Sequence, residues 1–311
     1  MLSVRKLVKV YPGPVTALQG VDLDVSTGMF GLLGPNGAGK STLMKIVSGL
    51  LEPSAGEVTF EGQDILADPM KMRSVLGYLP QDFGFYPNLT GEKMLRFLLR
   101  LKGVRAPGGE TKLVAELLER VNLTFAAKRK VKGYSGGMRQ RLGIAQAVAG
   151  DPRIVIVDEP TAGLDPEERH RFYRLLAELA RDRTVLLSTH IVEDVAVLCP
   201  RFAVISKGRV VANTTPEDAR RDLQGRIFEG TGDDDELRRY RESYRVTQAI
   251  LVEGQNRVRI HVPNGMAPDG FRAVEPSLED AYMTLVQADA ASAGTASAAG
   301  PEPAARVEAA S

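Results

Sequence analysis

Cysteine is nearly absent from this chain of 311 residues, where Cys199 stands alone. One thiol makes neither an internal disulfide nor a cysteine-rich zinc site, and it fits a reducing, cytoplasmic compartment. Long apolar runs are missing too. The longest, such as Met29 to Gly34, reach on the order of six residues, whereas a membrane-spanning helix needs about 20. No charge of one sign dominates, since 40 basic residues oppose 39 acidic ones for a formal charge of +1. That balance disfavours a nucleic-acid partner, which calls for a broad basic footprint. Arg5, Lys6 and Lys9 near the N-terminus are followed by Tyr11 and Pro12 rather than an apolar stretch, which argues against a signal peptide. No internal repeat is visible. What is there, 43% hydrophobic and 25% charged residues, is the composition of a globular chain. Its length suits one large domain or two ordinary ones.

Strand-like and helical patterns alternate through the first two thirds, the rhythm of an α/β domain. Val4 to Val10, Leu18 to Val25, Met29 to Leu33, Gly56 to Phe60 and Leu76 to Leu79 read as strands. Lys40 to Leu50 reads as a helix with Leu43, Ile46, Val47 and Leu50 on one stripe. Residues 90 to 150 are mostly helical in pattern. Strands return at Ile154 to Val157, Thr184 to Leu187 and Phe202 to Ile205, with a helix opening at Pro166. Composition shifts near Pro216, so residues 1–217 form one expected domain. Residues 218–287 read as a small α+β appendage, with strands at Tyr244 to Val252 and Arg257 to Val262 and a helix from Pro276 to about Gln287. Residues 288–311 are alanine-rich, lack an apolar period and are expected to be without structure, the alternative being an alanine-rich helix that Pro301 and Pro303 would interrupt.

One motif carries chemistry outright. Gly34, Pro35, Asn36, Gly37, Ala38, Gly39, Lys40, Ser41 and Thr42 match G-x-x-x-x-G-K-[ST], between an expected strand and an expected helix. Such a loop turns successive backbone N–H groups toward phosphate oxygens, and the helix N-terminus adds partial positive charge. Lys40 would meet the β- and γ-phosphates and the Ser41 hydroxyl would ligate Mg²⁺. The run from Ile154 ends in Asp158 and Glu159, at the strand end where open α/β sheets bind ligands. Asp158 would help hold Mg²⁺ and Glu159 would polarise an attacking water. Beside these, Tyr11 reads either as a turn residue or as a stacking platform. Phe83, Phe85 and Tyr86 read either as core aromatics or as an exposed surface.

The run from Tyr134 through Ser135, Gly136, Gly137 and Met138 to Arg141 resembles the signature of ATP-binding cassette (ABC) ATPases. Gln81 resembles the glutamine of that family's Q-loop, Asp165 after Gly163 and Leu164 its D-loop, and His190 its switch histidine. Tyr11 stands where the family places an aromatic against adenine. The resemblance covers about residues 2 to 215. It departs from the commonest signature at Tyr134, usually leucine, and at Met138, usually glutamine. The resemblance implies a P-loop α/β core with a mainly helical signature subdomain, plus the small appendage. It implies that Gln81 joins Ser41 and Asp158 at Mg²⁺, and that Gln81, His190, Glu159 and Lys40 serve hydrolysis. By the same analogy, Ser135, Gly136, Gly137 and Asp165 face ATP across a head-to-tail homodimer. The run Pro276 to Tyr282 resembles the C-terminal signature of ABC-2-type exporter ATPases. The expected function is therefore an ATPase subunit on the inner face of the cell membrane, driving a separate permease, with Phe83, Phe85 and Tyr86 receiving it. The alternatives are a soluble ABC ATPase of translation or DNA repair, and an importer ATPase.

Overall fold

The computed structural model describes residues 1–13, 15–68, 72 and 75–298, in two compact units, Met1–Ala219 and a second from Arg220 onward. The first unit opens with β1 (Leu2–Tyr11), β2 (Val15–Val25), β3 (Gly28–Leu33), α1 (Lys40–Val47), β4 (Ala55–Phe60), β5 (Gln63–Asp64) and β6 (Leu76–Leu79). A helical stretch follows: α2 (Gly91–Leu101), α3 (Glu110–Arg120) and α4 (Gly136–Val148). Then come β7 (Ile154–Asp158), α5 (Pro166–Leu179), β8 (Thr184–Thr189), α6 (Val192–Leu198), β9 (Arg201–Ser206), β10 (Arg209–Thr214) and α7 (Pro216–Arg221).

One sheet of this unit is antiparallel, in the order β2-β1-β4-β5. The other runs β10-β9-β3-β8-β7-β6 and is parallel from β9 to β6, with β10 antiparallel at its edge. Every residue of β7 and β8 is buried, as expected of parallel strands covered on both faces. Register then does the functional positioning. Leu33 lies opposite Thr189 and Asp158 opposite Ser188, so three neighbouring strands end level with one another. The segments that follow them, 34–39, 159–165 and 190–191, all leave from the same edge of the sheet.

Helix ends follow local chemistry. Thr90 caps α2, its hydroxyl accepting from Lys93 N–H at 3.4 Å. Asp165 caps α5 by accepting from Glu168 N–H, ahead of Pro166 at the first helical position. The α1 helix stops at Val47 and not at Leu50 as its apolar stripe suggested. Gly49 takes φ +69° there, and Leu50 N–H reaches back to Lys45 O at 2.8 Å, the closure that ends helices at a left-handed glycine. The Lys102 ammonium bonds to the carbonyls of Gln146, Ala147 and Ala149 at the far end of α4, tying α2 to it.

The second unit contains β11 (Ile227–Gly232), α8 (Asp234–Ser243), β12 (Arg245–Val252), β13 (Gln255–His261), β14 (Arg272–Ala273) and α9 (Leu278–Ala298). Its antiparallel sheet runs β12-β13-β11-β14 over a small core of Phe228, Val258, Ile260 and Val262. Asp233 and Glu236 close a reciprocal capping box on α8, whose Arg238 and Arg239 are exposed. Two differences from the sequence expectation stand out. The β11 strand, with two glycines, was not foreseen. The α9 helix also runs past Gln287 to Ala298, through residues expected to lack structure; alanine has the highest helix propensity and needs no apolar period to form one. Residues 299–311 of that stretch lie outside the described residues.

Candidate active site

The glycine-rich loop is shaped by its surroundings. A Cβ on Gly34 would stand 2.3 Å from Ile205 O, so only glycine lets β3 turn there. Gly39, at φ +106° where α1 begins, would place a Cβ 2.6 Å from Ala17 O. No acid occupies the first turn of α1 and no side chain caps it, which leaves its N–H groups and partial positive charge facing the loop. Pro35, Asn36, Gly37 and Ala38 complete the turn, with Gly37 at φ +78° and Ala38 N–H donating to Pro35 O.

Lys40 is 5% exposed, and its ammonium sits inside the loop. It donates to Gly34 O at 2.7 Å and Pro35 O at 3.2 Å, and it lies 3.2 Å from Glu159 Oε1. On the other side of the same carboxylate, His190 Nδ1 is 2.6 Å from Glu159 Oε2. Glu159 thus joins the residues that follow β3, β7 and β8. Its backbone is left-handed at φ +50°, with its N–H bonded to Ser188 O at 2.9 Å. A left-handed glutamate is strained, and strain of this kind gathers at functional sites.

Asp158 is 2% exposed, and its Oδ1 has no hydrogen-bond partner. Burial pushes its pKa up, while the nearby hydroxyls of Ser188 and Ser41 offset part of the effect. A buried carboxylate oxygen left unsatisfied beside a serine hydroxyl is an all-oxygen donor set, and it suits Mg²⁺. The loop and Lys40 suit a phosphate chain. The residues present therefore fit both groups.

Other expected residues lie apart from this cluster. The side chain of Gln81 is exposed, and among the described residues no hydrogen bond draws it toward Asp158 or Ser41. Tyr11 stands beside the first turn of α1, its hydroxyl 3.5 Å from Thr42 Oγ1 and its ring under the Lys9 ammonium at 5.4 Å. Ser135 caps α4 by accepting from Met138 N–H at 3.1 Å. The start of α4 packs beside the segment leading to Asp165: a Cβ on Gly136 would be 3.8 Å from Leu164 Cδ2, and one on Gly137 would meet Glu168 Oε2. Tyr134 is buried and donates to Ala126 O at 2.8 Å, so the phenol fills its site with its polar end satisfied. Phe83 and Phe85 meet edge to face at 5.2 Å, and Tyr86 meets Phe97 of α2 at 5.4 Å. Tyr86 is nonetheless 59% exposed, with the exposed Leu101 on the same helix as Phe97.

One group close to the site was not anticipated. Asp194 of α6 is fully buried and accepts from Thr161, Thr189 and Tyr173. Its sequence position gives no signal, because an acid in a helix's first turn ordinarily faces solvent and the helix dipole.

Comparison with known proteins shows the family of the chain. The sequence profile of the family described as "ABC transporter" matches residues 18–162. The chain is 37% identical over 220 residues to the linearmycin resistance ATP-binding protein LnrL of Bacillus subtilis (strain 168), covering 70% of each. It is 39% identical over 217 residues to the Nod factor export ATP-binding protein I of Burkholderia orbicola (strain AU 1054), covering 69% of this chain and 71% of that one. Among solved structures it matches the dimeric post-hydrolysis state of the ATP-binding cassette MJ0796 bound to ADP and Pi. The TM-score is 0.63 at 28% identity, over 69% of this chain and 98% of that one.

Proposed function

This chain belongs to the ABC transporter family as an ATP-binding protein, and from that premise we propose that it hydrolyses ATP to drive export through a separate membrane permease. The observation that carries the reading is Glu159, held between Lys40 and His190 at the end of β7. Lys40 answers the charge of the β- and γ-phosphates, and backbone N–H groups of the loop and of the first turn of α1 cradle their oxygens. Ser41 and Asp158 would hold Mg²⁺, joined by Gln81 once its exposed side chain turns toward them, and the ion would supply neutralisation of phosphate charge. Glu159 orients the attacking water and takes its proton. His190, at the end of the adjacent strand, keeps the Glu159 carboxylate aimed. Tyr11 offers its ring to the adenine.

The signature supports a head-to-tail homodimer. Ser135, Gly136 and Gly137 begin a helix whose N-terminal N–H groups suit a phosphate, yet in one chain they pack beside the segment before Asp165. A second copy brings them to the other chain's Lys40 and completes the site. Export is supported by the relatives named for linearmycin resistance and Nod factor export, and an ABC-2-type partner by the run Pro276 to Tyr282, which resembles that branch's C-terminal signature. Among the described residues no helix is long and apolar enough to cross a membrane, so the pathway belongs to another subunit. The exposed Tyr86 with Phe97 and Leu101 is the surface offered to it, and the protein works at the inner face of the membrane.

The test is Glu159→Gln followed by light scattering with Mg-ATP. The variant is expected to bind ATP, turn it over slowly and accumulate as a dimer that Ser135→Arg prevents. A variant that hydrolyses ATP at the normal rate sinks the assignment of Glu159. Copurification of the native protein with a protein of several apolar spans tests the permease, and copurification with ribosomes or DNA instead would overturn it.

A further inference from the structure

The His190 side chain, 44% exposed, hydrogen-bonds to Glu159 and to no other of the described residues. A ring so open to solvent is not held by packing, so its aim depends on its backbone. That backbone is bracketed. The Thr189 hydroxyl accepts from Ile191 N–H at 3.0 Å and donates to Asp194 Oδ2 at 2.8 Å, one bond on each side of His190. The same Oδ2 accepts from Thr161 Oγ1 at 2.6 Å, two residues beyond Glu159. One carboxylate oxygen therefore ties the segment carrying Glu159 to the segment carrying His190.

The other oxygen, Oδ1, accepts from Tyr173 of α5 at 2.6 Å. Burial first, then the bond to Asp194, pushes the phenol of Tyr173 well above its ordinary pKa, so it remains a donor. Thr161, Thr189 and Asp194 are all completely buried. Leu164 N–H bonds to Thr161 O at 3.2 Å, so the turn leading to Asp165 hangs from the same point. Charge-assisted bonds from hydroxyls to a carboxylate are short and strong, and in a dry interior they fix geometry closely.

We propose that Asp194 is a positioning residue for ATP hydrolysis: through Thr161 and Thr189 it holds Glu159 and His190 in register, without itself touching substrate. The inference rests on Glu159 and His190 acting as a pair. It predicts an asymmetry among the three hydroxyls, since Thr161 and Thr189 lie in the catalytic segments while Tyr173 anchors Asp194 from α5.

The experiment compares steady-state hydrolysis by the full chain with Asp194→Asn, Thr161→Val, Thr189→Val and Tyr173→Phe, below the melting temperature of each. Melting temperature and ATP affinity are measured alongside. Asp194→Asn and Thr189→Val are expected to lower kcat at least tenfold with KM for ATP within about twofold. Tyr173→Phe, which loses a comparable buried hydrogen bond, is expected to lower the melting temperature and keep kcat within about threefold. Losses of kcat that follow melting temperature equally across all four variants would reduce Asp194 to a structural role. Unchanged kcat in Asp194→Asn while Glu159→Gln is inactive overturns the positioning role alone. An active Glu159→Gln overturns the catalytic pair on which it stands.

Discussion

Gly91 and Tyr134 should be energetically coupled, and the size of the coupling follows from their contact. A Cβ on Gly91 would stand 1.9 Å from the Tyr134 hydroxyl oxygen and 3.0 Å from the ring carbon that bears it. In Gly91→Ala, either the phenol moves or the start of α2 shifts. Moving the phenol gives up its bond to Ala126 O and leaves the buried hydroxyl without a partner, at about 1–3 kcal/mol, while the carbonyl keeps Arg129 N–H. Shifting α2 is overpacking, also about 1–3 kcal/mol. Gly91 is the first residue of α2, so alanine recovers little of the roughly 0.5–1 kcal/mol that it gains over glycine in a helix interior. The net loss is expected near 2 kcal/mol. In Tyr134→Phe the offending oxygen is gone, and Gly91→Ala should then be close to neutral. Urea unfolding of the four proteins, followed by far-ultraviolet circular dichroism, closes the double-mutant cycle. A coupling of about 1.5 kcal/mol or more is expected. If Gly91→Ala costs the same in both backgrounds to within about 0.5 kcal/mol, the steric reasoning is wrong.

Lys40→Ala removes the charge meant for the β- and γ-phosphates and should abolish turnover; normal affinity together with normal phosphate release would contradict the loop's assignment. Tyr86→Ser and Phe97→Ser should leave ATP hydrolysis by the isolated subunit near normal and reduce transport in cells, whereas equal loss of both would mark those rings as fold elements. The second unit should lose stability in mild acid. Burial, with Arg245 and Arg226 nearby, holds His261 below its ordinary value of 6.5, and neither of its ring nitrogens has a partner. The folded state thus binds fewer protons than the unfolded one, so stability is full above about pH 6.5 and falls as pH drops from there toward the lowered native pKa. Unfolding midpoints measured across that range should slope in the native protein and flatten in His261→Leu.

What was legible in the sequence was whatever is written in consecutive residues. The strand Leu76–Leu79 and the glycine-rich turn that runs from β3 into the helix at Lys40 come from short runs whose neighbours suffice to identify them. The β11 strand was illegible because Gly230 and Gly232 read as loop residues. In the fold a Cβ on Gly230 would meet the Phe271 ring at 2.9 Å, and one on Gly232 would meet Glu236 Cβ at 3.0 Å. Gly230 makes room for a ring from a distant part of the second unit, a reason no local window contains. Asp194 was hidden the same way, since its three donors come from α5, the end of β8 and the segment after β7. The helix past Gln287 was missed because lack of an apolar stripe was read as lack of structure.

A library of variants screened only for resistance to heat would put this protein's activity at risk at residue 159. The left-handed backbone there costs a side chain about 1–2 kcal/mol, and glycine is free of that penalty. In Glu159→Gly the Lys40 ammonium would still keep two carbonyl acceptors, and the exposed imidazole of His190 could turn to water. Folding alone would thus trade away this glutamate at little loss. Selection schemes for sturdier versions of the protein should therefore hold position 159 fixed, or couple survival to turnover.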